Sequence, residues 1–201
     1  MDTSITSQYV TLENARIHYL EAGVSSSSCV LFLHGASFTA QTWEEIGTLQ
    51  LLASRGYRGV AVDIPGYGRS QRISVSPQGF LLEFLELLEL NRPVIVSPSM
   101  SGGYSLPFVI ENRDKLSGLV AVAPVGIKRY RQQLTGIDLP TLAIWGSNDR
   151  IVPEDQADLL LELMPNAKKV VLANAGHACY MKATDDFHKH LIQFLEEVYN
   201  G

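Results

Sequence analysis

Three residue types able to carry acyl-transfer chemistry together stand far apart in this chain: Ser99, Asp149 and His177. A serine hydroxyl is a poor nucleophile until a neighbouring base takes its proton, and that base needs a third group to fix its tautomer. Ser99 lies in Ser97-Pro98-Ser99-Met100-Ser101, Asp149 in Gly146-Ser147-Asn148-Asp149, and His177 in Asn174-Ala175-Gly176-His177. A sharp strand-to-helix turn that exposes its central serine wants small residues two before and two after it, usually glycines; here both are serines. Pro98 keeps Ser97 extended, so Ser97 belongs to the strand and Ser101 to the helix, leaving Ser99 as the preferred nucleophile. The pentapeptide alone fits a plain serine-rich turn equally well; it is the trio that points to catalysis. Acyl transfer also needs donors for a developing oxyanion. The Met100 N–H is one, and the loop His34-Gly35-Ala36 offers a second at Ala36, with Ser37 as a side-chain assistant. Tyr104 and Cys179 are candidate pocket residues, Cys179 with packing as its plainer role, and His34 reads as a brace for its loop.

Six short apolar runs must position these groups: Cys29–Leu33, Gly59–Val62, Val94–Ser97, Leu119–Ala123, Thr141–Trp145 and Lys169–Leu172. They are apolar nearly throughout rather than alternating, as strands covered on both faces are, which predicts a parallel sheet. Helical patterns fill the gaps at Gln41 to Ser54, Gln78 to Leu90, Pro153 to Met164 and Thr184 to Tyr199, the last with Phe187, Leu191, Phe194, Leu195 and Val198 on one stripe. Residues 8–13 and 15–21 read as an antiparallel hairpin at one edge. The expected fold is an open, doubly wound α/β sandwich with helices on both faces. Ligands bind such sheets at the carboxyl ends of the strands. His34-Gly35-Ala36, Asp63-Ile64-Pro65-Gly66, Ser99, Asp149 and His177 all follow apolar runs, and Asp63 to Gly68 reads as a turn shaping the floor of the site. Between the strand ending at Ala123 and the one carrying the acid, Pro124 to Leu139 leaves room for one helix (Gly126 to Leu134) and a turn. No cap domain fits there.

The chain has 201 residues, 46% of them apolar and 18% charged, which suits one domain over 1–201 and excludes a disordered chain. A net charge of −5 argues against nucleic acid as partner. The longest apolar stretches, such as Phe80 to Leu90, are short and broken by glutamates, so no membrane span is expected. Met1 to Val10 lacks the pattern of a secretory signal, and Ser25 to Ser28 reads as a polar loop. Two cysteines, Cys29 and Cys179, form no disulfide framework, which fits a reducing intracellular setting. His188 and His190 are two apart on a helix and face different ways, so no metal is expected. No nucleotide-binding glycine motif stands in a strand–helix context, so no cofactor is indicated. Lys128-Arg129-Tyr130-Arg131 either rims the site opening or is a solvated helix face.

The signposts His34-Gly35, Asp63-x-Pro65-Gly66-x-Gly68-x-Ser70, the Ser99 turn, Gly146-x-x-Asp149 and Gly176-His177, with the chain order Ser, Asp, His, resemble the α/β-hydrolase superfamily across essentially the whole chain. More narrowly, Ser97 to Gly102 with Tyr104 and Leu106-Pro107-Phe108, and Gly176-His177-x-Cys179-Tyr180, are similar to the α/β-hydrolase-domain-containing protein 14 family, whose own pattern is S-x-S-x-S. The resemblance implies a Ser99–His177–Asp149 triad, hydrolysis of small acyl esters, and acyl-lysine deacylase activity with coenzyme A as acceptor. On this basis a monomer is expected in the cytoplasm or nucleus, acting on a small acyl substrate or an acylated protein. The competing expectation is a non-catalytic ligand-binding or protein-interaction module on the same fold, although a receptor enclosing a small ligand would want a cap. Dehalogenase or epoxide-hydrolase chemistry would want an aspartate at position 99.

Overall fold

The computed structural model describes residues 3–25 and 28–201; Met1 and Asp2, within the stretch inspected for a signal, and the middle of the Ser25 to Ser28 loop lie outside them. The chain opens with the expected hairpin, β1 (Ile5–Leu12) and β2 (Ala15–Ala22), joined by Glu13 and Asn14, both left-handed (φ 50° and 63°). A two-residue turn of that kind matches the twist of the strands it joins.

The remaining strands are β3 (Cys29–Phe32), β4 (Arg58–Val62), β5 (Val94–Pro98), β6 (Gly118–Val122), β7 (Thr141–Gly146) and β8 (Ala167–Leu172). The order across the eight-stranded sheet is β1-β2-β4-β3-β5-β6-β7-β8. β3 to β8 run parallel to one another, while β2 meets both β1 and β4 antiparallel. Every residue of β3 to β7 is buried, because both faces are covered. Successive strand residues feed opposite cores. Leu31, Val62, Ile95, Ala121 and Trp145 join Phe80, Phe84 and Phe108 on one face. Val30, Phe32, Val96, Val122 and Ile144 join Trp43, Tyr180 and Phe187 on the other. Each fully buried Phe or Leu contributes about 1.5–3 kcal/mol relative to exposure, so these two layers carry the fold.

Helical detail departs from the sequence expectation in three places. The single helix expected over Gln41 to Ser54 is two, α1 (Gln41–Glu45) and α2 (Thr48–Ser54), broken at Gly47, whose φ of 74° no continuous helix accommodates. The stretch from Gly126 to Leu134 is a series of turns ending in a single helical turn, α5 (Arg131–Leu134), with Gly126 itself left-handed at φ 103°. Third, the helix expected from Gln78 to Leu90 is α3 (Pro77–Leu87), started by Ser76, whose hydroxyl accepts from the Gly79 N–H at 3.1 Å. The others are α4 (Gly102–Asn112), α6 (Asp155–Leu163), α7 (Cys179–Lys182) and α8 (Thr184–Asn200). No helix domain is inserted at residues 124–139.

The strand order reverses between β3 and β5. The chain leaves β3 for β4 on one side and then crosses to β5 on the other, which opens a crevice at their carboxyl ends. Ser99 stands there.

Candidate active site

β5 delivers Ser99 into a short 3-10 turn, Ser99–Ser101, that runs on into α4. Ser99 has φ of 50°, a left-handed conformation that costs a non-glycine residue about 1–2 kcal/mol and is held only by its surroundings. The Val125 N–H donates to the Ser99 carbonyl at 2.9 Å. Beneath the turn, Ser101 Oγ donates to the Pro98 carbonyl (2.8 Å), and Ser97 Oγ lies 3.1 Å from Ser101 Oγ and 2.6 Å from Ser105 Oγ. These three serines are fully buried. Ser97 and Ser101 are therefore spent on bracing, while Ser99 keeps partial access to solvent. Sequence reasoning missed Ser105, although serines at 97, 101 and 105 repeat every four residues.

Asp149 follows β7, its side chain fully buried. Its Oδ1 accepts from the N–H groups of Ile151 (2.8 Å) and Val152 (3.0 Å). The loop after β8 carries His177 and is stitched to the Asp149 loop: Asn148 N–H donates to the Ala175 carbonyl (2.9 Å) and Asn174 N–H to Ser147 Oγ (2.9 Å). Gly146 permits this contact, since a Cβ there would fall 2.3 Å from the Gly176 oxygen.

His177 Nδ1 then lies 2.8 Å from Asp149 Oδ2, and His177 Nε2 lies 2.7 Å from Ser99 Oγ. A carboxylate already loaded with two backbone donors is an acceptor, so the proton sits on Nδ1 and the Nε2 lone pair faces the Ser99 hydroxyl. The His177 side chain is 18% exposed, enough for a substrate to reach this edge. Hydroxyl, imidazole and carboxylate are joined in one line.

The loop after β3 passes beside Ser99. A Cβ on Gly35 would sit 3.7 Å from Ser99 Cβ, and Ala36 and Ser37, next along, are exposed. His34 is buried and braces this loop from both ring nitrogens: Nδ1 donates to the Gly35 carbonyl (2.9 Å) and Nε2 accepts from the Ile64 N–H (3.0 Å). Burial pushes the His34 pKa down, against smaller opposing effects of the Gly35 carbonyl and Asp63. Asp63 anchors the same region, accepting from the Ala40 N–H and the Arg69 N–H at 2.8 Å each.

Met100 is half-buried directly after Ser99. Tyr104 is half-buried and lines a cleft of about 490 Å³ with Pro65, Tyr67, Arg72, Ile73 and Phe80. Cys179 is fully buried in the core, and burial pushes its thiol pKa up to about 12. A cavity of about 500 Å³ lined by Leu85, Arg92 and Lys115 lies at the opposite, amino end of β5 and β6, away from Ser99. Lys128 is exposed and pairs with Asp155 at 3.6 Å. His188 Nε2 meets Thr48 Oγ1 at 2.9 Å, tying α8 to α2.

Residues 30–138 match the model of the Alpha/beta hydrolase family, and residues 126–184 that of the alpha/beta hydrolase fold. The chain belongs to the alpha/beta hydrolase family. Within it, this hydrolase is 41% identical to mouse Protein ABHD14A over 94% of the chain and 80% of that protein. It is 37% identical to rat ABHD14B, provisionally named a protein-lysine deacylase, over 84% of the chain and 83% of that protein. Both likenesses place the hydrolase in the ABHD14 group. Its fold also matches the crystal structure of a hydrolase from Thermoplasma acidophilum with a TM-score of 0.92, covering 96% of this chain and 99% of that one at 23% identity. Among the described residues, no helix is long and apolar enough to cross a membrane.

Proposed function

We propose that this hydrolase is a serine esterase and acyl transferase that works through a covalent acyl-enzyme on Ser99. The observation that carries the proposal is the unbroken hydrogen-bonded line from Ser99 Oγ to His177 Nε2 (2.7 Å) and from His177 Nδ1 to Asp149 Oδ2 (2.8 Å). His177 takes the Ser99 proton as Oγ attacks the acyl carbon. Asp149 holds the ring and stabilises the imidazolium, and His177 then returns the proton to the leaving group. The backbone N–H groups of Ala36 and Met100 receive the oxyanion, a contribution typically worth about 3–4 kcal/mol per donor. Ser37 and Tyr104 flank the acyl group, and Cys179 packs behind the ring.

Residues 124–139 carry no cap, so nothing encloses a long chain, and the substrates are short acyl groups or acyl groups displayed on a larger partner. The likeness to ABHD14B supports an acylated lysine as that displayed group. The acceptor is water or, as in the expectation from the family, coenzyme A.

Turnover of p-nitrophenyl acetate and fluorophosphonate labelling of the peptide that carries residue 99 test the proposal. Both should fall at least about 10³-fold in Ser99→Ala, and undiminished activity in that variant would end it. Acetyl-lysine peptides with and without coenzyme A then separate the two acceptors. A binding module would hold ligand unchanged in Ser99→Ala and show no turnover in either form.

A further inference from the structure

A second line of the same three residue types runs from the β1–β2 hairpin to the end of β4. In the β1–β2 register Tyr9 stands opposite His18 and Ser7 opposite Leu20, so Ser7 and His18 are diagonal neighbours on one face. Ser7 Oγ is 2.9 Å from His18 Nε2, and His18 Nδ1 is 2.8 Å from Asp63 Oδ2. At Ser99 the corresponding distances are 2.7 and 2.8 Å.

The protons can be placed here too. Asp63 is 2% exposed and already accepts from the N–H groups of Ala40 and Arg69, so it is an acceptor and the His18 proton sits on Nδ1. Arg69 Nη1 donates to Ser7 Oγ at 3.5 Å, which leaves the Ser7 hydroxyl proton for His18 Nε2. The ring is fixed from several sides: it is buried, it rests 5.2 Å from the Tyr9 ring, and its own backbone N–H donates to Ser70 Oγ at 2.9 Å. Ser7 itself is exposed. A buried brace would need only Asp63 and His18; an oriented imidazole with its free nitrogen on an exposed hydroxyl is the apparatus of an activated nucleophile.

We propose that Ser7 is a second nucleophile of this chain, one that takes the acyl group of activated esters. Ser7 Oγ bonds to the acyl carbon while its proton passes to His18 Nε2. The bond from the acyl carbon to the leaving oxygen breaks, and the proton moves on to that oxygen, giving a Ser7 ester and a free alcohol or phenol. The Arg69 guanidinium offsets the charge that develops. Among the described residues no backbone N–H donates at Ser7, so it is modified once and does not turn over. None of this depends on Ser99.

The test uses the full chain with Ser99→Ala, treated with p-nitrophenyl acetate and mapped by peptide mass spectrometry over time. Ser7 should acquire one acetyl group about a hundredfold faster than the exposed Ser54 and Ser76 in the same sample, the acceleration expected of a positioned general base. That adduct should be absent from the Ser7→Ala, Ser99→Ala double variant. In His18→Gln with Ser99→Ala, provided thermal melting shows it folded, the Ser7 rate should drop to that of Ser54. Acetylation of Ser7 no faster than Ser54 and Ser76, or an unchanged Ser7 rate in a folded His18→Gln chain, overturns the proposal. If His18→Gln does not fold, the comparison with Ser54 and Ser76 decides it alone.

Discussion

In the proposed mechanism Asp149 reaches Ser99 only through His177, so its removal should damage the reaction without dismantling the site. Asp149→Asn can still accept from Ile151 and Val152, yet it favours the wrong tautomer of His177; turnover of p-nitrophenyl acetate should fall about 10⁴-fold while the melting temperature moves little. A second expectation concerns acid. Burial lowers the pKa of both His34 and His188, against the opposing pull of Gly35 and Asp63 on the first and Asp185 on the second. The unfolded chain therefore takes up protons first as the pH falls. Their contribution is complete above about pH 6.5, the unfolded value, and is lost progressively below it. Urea midpoints measured at pH 8 and pH 5.5 should show this loss, and His188→Gln should reduce it. At this scale the meeting of Ser99, Asp149 and His177 was legible because each follows an apolar run, at the sheet edge where such folds bind ligands. The His18–Asp63 pair was not: its partners are 45 residues apart and meet only because β2 lies beside β4.

The loops after β7 and β8 hold Asp149 and His177, and Gly146 is where they touch. A Cβ at Gly146 would also fall 2.4 Å from the Ala175 oxygen, a backbone atom that cannot swing aside. Gly146→Ala should cost at least about 1–3 kcal/mol of stability, and activity should fall further than the unfolded fraction explains, because the Asp149–His177 distance opens. Chemical denaturation and turnover on the same preparation check both parts. The parallel strands were readable from their unbroken apolar runs, and the ends of α8 moved by a single residue. The break between α1 and α2 was not readable, because a lone glycine in a helical pattern is compatible with either a continuous helix or a left-handed stop. The structure alone shows Gly47 in the second state.

Across the whole molecule, the decisive features are the reversal of strand order between β3 and β5 and the short link at residues 124–139. The short link at residues 124–139 was visible in the sequence as a length, and length suffices to exclude a cap domain. Strand order was not visible, since the step from β4 back past β3 to β5 is set by packing over long sequence separations. An open site predicts a chain-length profile: acetyl to butyryl esters should be turned over best, with kcat/KM declining for longer acyl groups that gain no enclosing wall. A rising profile to dodecanoyl esters would contradict the open crevice. The covalent role of Ser99 can be tested more directly still. When the unaltered chain meets excess p-nitrophenyl acetate, an acid quench within the first turnovers should catch an acetyl group on the peptide bearing Ser99, detected by mass spectrometry. Absence of that adduct, together with full turnover by Ser99→Ala, would contradict the mechanism.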